Sequence, residues 1–441
     1  MHKSLLNDTR LLVILFITFR LMMLMVYQPL LIDPTPPEVA LEVDEAAEAP
    51  FEPFASPTGV ERGVGAQGDR LYHYMLSRLT EGGDYPFIDW WSEFPPVWYL
   101  TTTTVYQTQS DYSNWSVWMG IILLAFDVGN LLLIRKIGIH LHGESTGMAL
   151  AWIYTVMIAP MVMLFWNFET LVTFFFLLGL YWLLIGKQNR SALAIALGVL
   201  TKFTPALIFG ALIRFRPQRM TLRYIAIVLS VFVGVYALLY AVNAAEDGNP
   251  DMVTVSLTAQ FNKASYQTVW ALIDGNYTTG NFGSVESHFD PDAADELYGE
   301  PAVIPSFVRL ALAGAIGLFI FLRTRRLDDR GLVAFVTVTL LIFFLQSQGW
   351  SPQWMVQIIP FVLLSFPNKN GVLVLVLLTF LTFTEYPLLF IRTGDTGGIV
   401  EGTMRLPFVV LILSRTFLLV SLCIGLYQKL RQEPVIIETG G

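Results

Sequence analysis

Cysteine, charge and histidine are all scarce in these 441 residues, and each scarcity removes a class of protein. With a single cysteine, Cys423, there is no disulfide framework, and its place inside the last apolar run leaves the redox compartment open. Five histidines and that one cysteine form no cluster with metal-ligand spacing. Only 14% of residues are charged, too few for an ordinary soluble surface, and no internal repeat is visible. What fills the chain is apolar: 54% of residues are hydrophobic and mean hydropathy is +0.57. Runs of about 20 such residues, enough to cross a hydrocarbon core of about 30 Å, recur along almost the whole length. The composition is that of a polytopic membrane protein, read as one integral domain over 1–441.

The first run, Leu11 to Ile32, follows Lys3 and Arg10 as a secretory signal would. It is too long for the apolar core of a signal, however, and it ends in YQPLLIDPTPP without a small-residue cleavage site. It reads as an uncleaved first span. Further spans are predicted near 114–134, 146–166, 169–186, 221–242, 305–322, 331–346, 353–366, 371–391 and 407–427, about ten in all. Residues 191–213 (SALAIALGVLTKFTPALIFGALI) differ, because Lys202 and Thr204-Pro205 interrupt them. Lys187 and Arg190 flank the segment on one side, and Arg214, Arg216 and Arg219 on the other. Proline breaks a helix and cations stay cytoplasmic, so this segment is predicted to be a hairpin of two half-length helices lining a cavity. The expected fold is therefore an all-α bundle of about ten full spans plus a half-helix hairpin.

Placing both termini on the cytoplasmic side puts most Lys and Arg in short inner loops. The acids then collect in two long extracytoplasmic loops, 33–113 and 243–301. Residues 33–61 are rich in Pro, Glu and Ala, the composition of an extended linker. After Gly68 the character changes: Leu71, Met75, Leu76 and Leu79 recur at helical spacing, predicting a short amphipathic helix at the membrane surface. Pro95–Tyr106 and 268–275 (TVWALIDG) read as two more interfacial helices.

Several polar features stand out against this background. Gly63-Val-Gly65-Ala-Gln-Gly68 spells GxGxxG, but a dinucleotide site needs a strand before it and a parallel sheet around it, and a Pro-rich loop stands there instead. The glycines free the backbone where a helix begins, with Asp69 at its N-cap or first turn, and such a start offers N–H groups to a lipid phosphate. Arg20, Asp127, Lys202, Glu385 and Arg415 are ionisable residues inside apolar runs, which mark either polar cavities or structural pairs. Lys202, beside the Thr-Pro break, is the candidate anion site. Two helix junctions are also polar: FWNFET with Asn167 and Glu169, and LQSQGWSPQW with Gln346, Gln348, Trp350, Ser351 and Gln353. Both fall on the side of the acidic loops, which points to one shared vestibule. Helix caps within an aromatic belt are the plainer reading of the same residues.

Glu93-Phe94-Pro95-Pro96, a span carrying Asp127 and ending in Arg135-Lys136, the NFET junction, LTKFTPALIF (200–209) and SPQWMVQIIP (351–360) follow one another in an order that resembles the GT-C superfamily of polytopic glycosyltransferases. The likeness is greatest to bacterial branches dependent on polyprenol-phosphate sugars and more distant to the mannosyltransferase of GPI-anchor assembly. It covers roughly residues 10–365. The resemblance implies a polyprenyl-phosphate donor carrying one sugar, a mannose-like hexose favoured, and an extracytoplasmic glycolipid or glycan acceptor. It also implies a catalytic base at the position of Asp69. One base suffices for inversion, because the leaving group is already a phosphate and needs no acid, unlike the carboxylate pair of a glycosidase.

The leaving phosphate needs positive charge, for which Lys202 is the first candidate and Arg392 and Arg20 are helpers. Glu93, Asp89, Asn167, Glu169, Gln348, Trp350, Ser351 and Gln353 are the candidate substrate-binding residues. Trp90, Trp91 and Trp350 are placed either on sugar faces or in an interfacial belt. Members of the superfamily that carry an acidic-x-acidic pair at this place often use a divalent metal; none accompanies Asp69, so the resemblance implies transfer that needs neither a divalent metal nor another cofactor. A transporter or lipid-linked-sugar flippase, and an oligosaccharide ligase or polymerase, remain alternatives. The first would also use broken helices and intramembrane charges.

Overall fold

The computed structural model describes residues 5–27, 68–157, 159, 164, 168–260, 263–280, 283–296, 298–393 and 397–433. The predicted linker 33–61, the GxGxxG stretch before Gly68, the end of the first predicted span and Asn167 lie outside the described residues. Among those described, seven helices are long and apolar enough to cross a membrane: Thr9–Tyr27, Tyr112–His142, Gln218–Ala245, Ser306–Arg323, Asp329–Gln346, Lys369–Thr393 and Arg405–Arg431. Each answers a predicted span. The other three predicted spans are shorter helices, Glu144–Val156, Glu169–Leu184 and Pro352–Ser365.

The last of these lies deepest in the protein. All eleven residues of Met355–Ser365 are buried, so this helix is the axis of the bundle and meets protein on every side. Phe361 packs on Phe176, with ring centroids 4.6 Å apart. Gln218–Ala245 and Ser306–Arg323 lie at the opposite extreme, with only 11% of their apolar windows buried, and form the periphery. Side-chain caps fix where several helices begin. Asp111 accepts from the N–H groups of Ser113 and Asn114, Asp328 from Gly331, and Asn368 from Gly371.

The 191–213 segment forms the expected pair of half-length helices, Gln188–Val199 and Ile208–Phe215, joined through a turn and the 3-10 segment Thr204–Leu207. Pro205 has no N–H to continue the ladder, and Lys202 stands in the break with its own N–H on Gly198 O, at 2.9 Å. Glycine makes this return possible: a Cβ on Gly198 would lie 2.9 Å from Pro205 Cγ. The carbonyl of Leu200, left over at the end of the first half-helix, accepts from Val97 N–H at 3.0 Å. The Glu93–Pro96 motif is thereby seated on the half-helix break.

In the first long loop, Gly68–Arg78 and Pro96–Thr108 are helical and pack on each other and on the start of Tyr112–His142. Trp115 Nε1 donates to Thr102 O at 3.1 Å, and Arg70 Nε donates to Tyr112 Oη at 3.2 Å. In the second loop, Thr268 caps Val269–Asp274, and Gly275 closes it with φ of 87°.

Candidate active site

Asp69 lies in the first turn of Gly68–Arg78, where the helix dipole favours a carboxylate. Its Oδ2 accepts from Gln353 Nε2 at 3.1 Å, joining residues 284 apart in sequence. Gln357 lies one helical turn beyond Gln353, and its Nε2 donates to Glu169 Oε2. Thr204 Oγ1 donates to Gln357 Oε1 at 3.0 Å, which fixes the orientation of that amide. Lys202 Nζ donates to the other oxygen, Glu169 Oε1. The SPQWMVQ stretch is therefore a strut with Asp69 at one end and a buried Glu169–Lys202 pair at the other.

The pair is housed by aromatic rings. Lys202 Nζ lies 5.2 Å from the Trp354 ring, 5.4 Å from Phe168 and 5.6 Å from Phe94, close enough for cation–π attraction. Phe94 belongs to the Glu93–Pro96 motif, whose Glu93 is buried and accepts from Lys263 Nζ at 2.6 Å. Asp69, Glu93 and Glu169 surround one further side chain, Tyr266. Burial raises its phenol to about 12, the Ser351 hydroxyl at 3.4 Å opposes the rise, and the three carboxylates add to it. Tyr266 is held by backbone pairing: its N–H reaches Gln348 O at 3.2 Å, and its carbonyl accepts from Trp350 N–H at 3.1 Å. Gly349 makes room for it, since a Cβ there would lie 2.2 Å from the Tyr266 ring. Gly349→Ala is expected to displace Tyr266 and cost about 1–3 kcal/mol of stability, measured by thermal unfolding in detergent.

A second cluster ties the two long loops together. Trp91 stacks on His288 at 4.2 Å between centroids and donates through Nε1 to Asp290 O at 2.8 Å. Trp91 O must receive a proton from His288 Nδ1, at 2.5 Å, so Nε2 carries the lone pair that Tyr72 Oη–H meets. His288 is thus a neutral imidazole with a fixed tautomer. Burial lowers its pKa to about 4, with the Glu93 charge opposing the fall, and burial lowers that of His73 to about 3, assisted by His288. Above pH 6.5 both residues are neutral whether the chain is folded or unfolded. Below it, the unfolded chain takes up protons that the folded one refuses until about pH 4 for His288 and about pH 3 for His73. Stability is expected to fall through that window by about 1.4 kcal/mol per pH unit for each histidine. Thermal unfolding between pH 7 and pH 4.5 measures this slope, and His288→Gln should reduce it by about half, leaving the His73 contribution.

The remaining candidates occupy other places. Asp89 accepts from Tyr85 N–H at 2.8 Å and closes its own turn. Gln348 Nε2 donates to Gln260 O at 2.9 Å, while its carbonyl takes the Thr268 hydroxyl at 2.9 Å. Trp350 is buried, with the Arg415 guanidinium 4.3 Å over its ring, and Trp90 and Trp91 are buried within the loops. Arg415 pairs with Glu385, whose Oε1 also accepts from Gln267 Nε2 at 2.7 Å. Arg20 is fully buried, with Nε 2.5 Å from Asp127 Oδ2 and its guanidinium 3.4 Å over the Phe16 ring. Arg392 is exposed at the end of the Phe390–Thr393 helix. Among the described residues, no three His, Cys, Asp or Glu side chains are placed to hold a metal ion together.

Sequence reading missed Lys263, Tyr266, Tyr72, His288 and Gln357. Gln357 carried a usable signal, a polar residue four positions after Gln353 in an otherwise apolar run, which is the spacing of one helical face. Lys263, Tyr266 and His288 carried none, because only loop packing brings them to the site.

Neither a protein-family model nor a curated protein sequence matches the chain. Among solved structures, the chain is similar over 95% of its length to ArnT from Cupriavidus metallidurans in the apo state, at 13% identity, covering 75% of that chain with a TM-score of 0.46. Over 98% of its length it is similar to the apo oligosaccharyltransferase of Archaeoglobus fulgidus, at 12% identity and a TM-score of 0.41, and spans 57% of that chain. The archaeal oligosaccharyltransferase AglB from Archaeoglobus fulgidus, in complex with an inhibitory peptide and a dolichol-phosphate, is similar at 12% identity and a TM-score of 0.40, over 96% of this chain and 56% of that one.

Proposed function

We propose that the chain is an integral membrane glycosyltransferase of GT-C type. It transfers one sugar, a mannose-like hexose, from a polyprenyl-phosphate donor to a glycolipid or glycan acceptor on the extracytoplasmic side. The observation that carries the reading is the strut: Gln353 holds Asp69 at the start of the Gly68–Arg78 helix, and Gln357 holds Glu169–Lys202 within a half-helix break. A carboxylate able to take a proton and a cation able to meet a phosphate are thereby fixed on one short element. Buried charge at a broken helix fits a polar chamber at membrane depth.

The reaction balances on these groups. Asp69 accepts the proton of the acceptor hydroxyl as that oxygen attacks the anomeric carbon from the face opposite the phosphate. The new C–O bond forms, the C–O bond to phosphate breaks, and its electron pair leaves on the polyprenyl phosphate. Lys202, repartnering from Glu169, stabilises that charge, and exposed Arg392 is assigned to the headgroup as a second cation. Arg20 takes no part in this scheme, because it is fully buried between Phe16 and Asp127, whereas Lys202 keeps some exposure. Glu93, held by Lys263, borders the acceptor side. The step is written without a metal or other cofactor.

The orientation is supported by the end of the bundle opposite the two long loops, where Arg214, Arg216, Arg326 and Arg330 cluster with Asp328, Asp329 and helix-end carbonyls. The purified chain, offered a panel of polyprenyl-phosphate hexoses and the pyrophosphate-linked counterparts, is expected to form a glycoside from a monophosphate donor. Product from pyrophosphate donors alone would make it a ligase or polymerase. Radiolabelled lipid-linked sugar crossing vesicles with no glycoside formed would make it a flippase.

A further inference from the structure

The Ser306–Arg323 helix lies at the periphery, with Leu310, Leu312, Leu318 and Leu322 exposed, yet its Arg309 is only 3% exposed. A buried guanidinium is costly unless its N–H groups are met. Arg309 Nη2 donates to Ser306 Oγ at 3.1 Å and reaches Gln348 Oε1 at 3.4 Å. Its Nε and Nη1 are buried and have no hydrogen-bond partner among the described residues. Asp274 is the carboxylate whose field reaches this group, and that side chain is engaged by Ser265 Oγ at 2.6 Å and Val303 N–H at 2.8 Å.

Arg309 also lines an apolar groove of about 320 Å³ between the Ser306–Arg323, Asp329–Gln346 and Arg405–Arg431 helices. Leu312, Ile316, Ile320, Leu345, Val420 and Ile424 form its walls, and Trp270 stands beside the guanidinium, 5.6 Å from ring centroid to Cζ. Positions 309, 312, 313, 316 and 320 fall on one helical face, so the groove runs along the helix for about 16 Å. That is about half of a 30 Å hydrocarbon core, the depth of one leaflet.

We propose that this groove is a phospholipid site separate from the sugar-transfer centre: one acyl chain of an anionic glycerophospholipid lies along the 309–320 face, and its phosphate takes Nε and Nη1 of Arg309. The fork of a guanidinium matches two phosphate oxygens, and the leaflet-deep groove matches an acyl chain. A lipid phosphate here braces the Gln348–Gly349 turn, because Gln348 joins Arg309 to Gln260, Tyr266 and Thr268.

Native mass spectrometry of the detergent-purified chain, titrated separately with phosphatidylglycerol, phosphatidylcholine and a sugar-free polyprenyl phosphate, tests it. One equivalent of phosphatidylglycerol is expected to bind most tightly. Arg309→Gln should weaken it at least about tenfold by removing a charge-assisted hydrogen-bond fork. Ile316→Trp, which keeps the guanidinium and fills the groove, should weaken it similarly. Equal phosphatidylglycerol binding by wild type and both variants would overturn the proposal. Arg309-dependent binding of polyprenyl phosphate in place of phosphatidylglycerol would also overturn it and make the groove part of the donor site. None of these readouts requires sugar transfer, so failure of the lipid site and failure of the catalytic assignment are told apart.

Discussion

Asp69→Asn is expected to lower sugar transfer by about 10²–10⁴-fold while leaving the fold intact. The substitution preserves shape, and the amide oxygen of asparagine can still accept from Gln353 Nε2, so the strut is kept and only the proton acceptor is lost. The loss should appear in turnover more than in donor binding, since the base acts as the acceptor hydroxyl attacks. Asp251→Asn, on an exposed helix start in the second long loop, is the matched control and should leave the rate unchanged. Undiminished transfer by Asp69→Asn, measured with radiolabelled donor in purified protein, would remove the base assignment.

The second large effect is expected at the buried pair. Lys202→Met places an apolar side chain in the Phe94–Phe168–Trp354 box but leaves the Glu169 carboxylate without its cation. Breaking a buried pair from one side costs about 3–5 kcal/mol, so the variant should unfold at a clearly lower temperature. Adding Glu169→Gln should recover most of that loss, because the neutral amide still accepts from Gln357 and no buried charge remains unpaired. Transfer should not recover with stability. If the double variant regains both, the pair serves folding alone and the donor-phosphate role of Lys202 fails.

How far the site could be read in advance depended on whether a residue's neighbours were local. Lys202 announced itself, because a lysine beside Thr-Pro inside an apolar run is costly and breaks a helix, and the structure places it in such a break. The helix after Gly68 was equally plain from its spacing, but its apolar face packs on protein rather than on the bilayer: Met75, Leu76 and Leu79 are buried with Trp98, Tyr99 and Trp115. Trp91 was not: interface belt and sugar platform were the two expectations, whereas its ring lies against His288 across 197 residues of chain. Nothing local to DWWSEF marks that contact. The polar junctions were recognised as belonging together, but not the amide pair Gln353 and Gln357 that joins them.

The sequence by itself determined the solvent, the helices and the points where they break. These follow from properties of short stretches: apolar runs matched to a bilayer, caps at helix starts, and a proline that cannot donate. Tertiary structure alone decided which carboxylate meets which cation. Glu169 meets Lys202, Glu93 meets Lys263, Asp127 meets Arg20 and Glu385 meets Arg415. Each of these charges is expensive to bury alone, so the sequence guarantees that partners exist, but the partners stand 30 to 170 residues apart and only packing selects among them. The same packing left two Arg309 nitrogens without a partner among the described residues, beside a groove of leaflet depth.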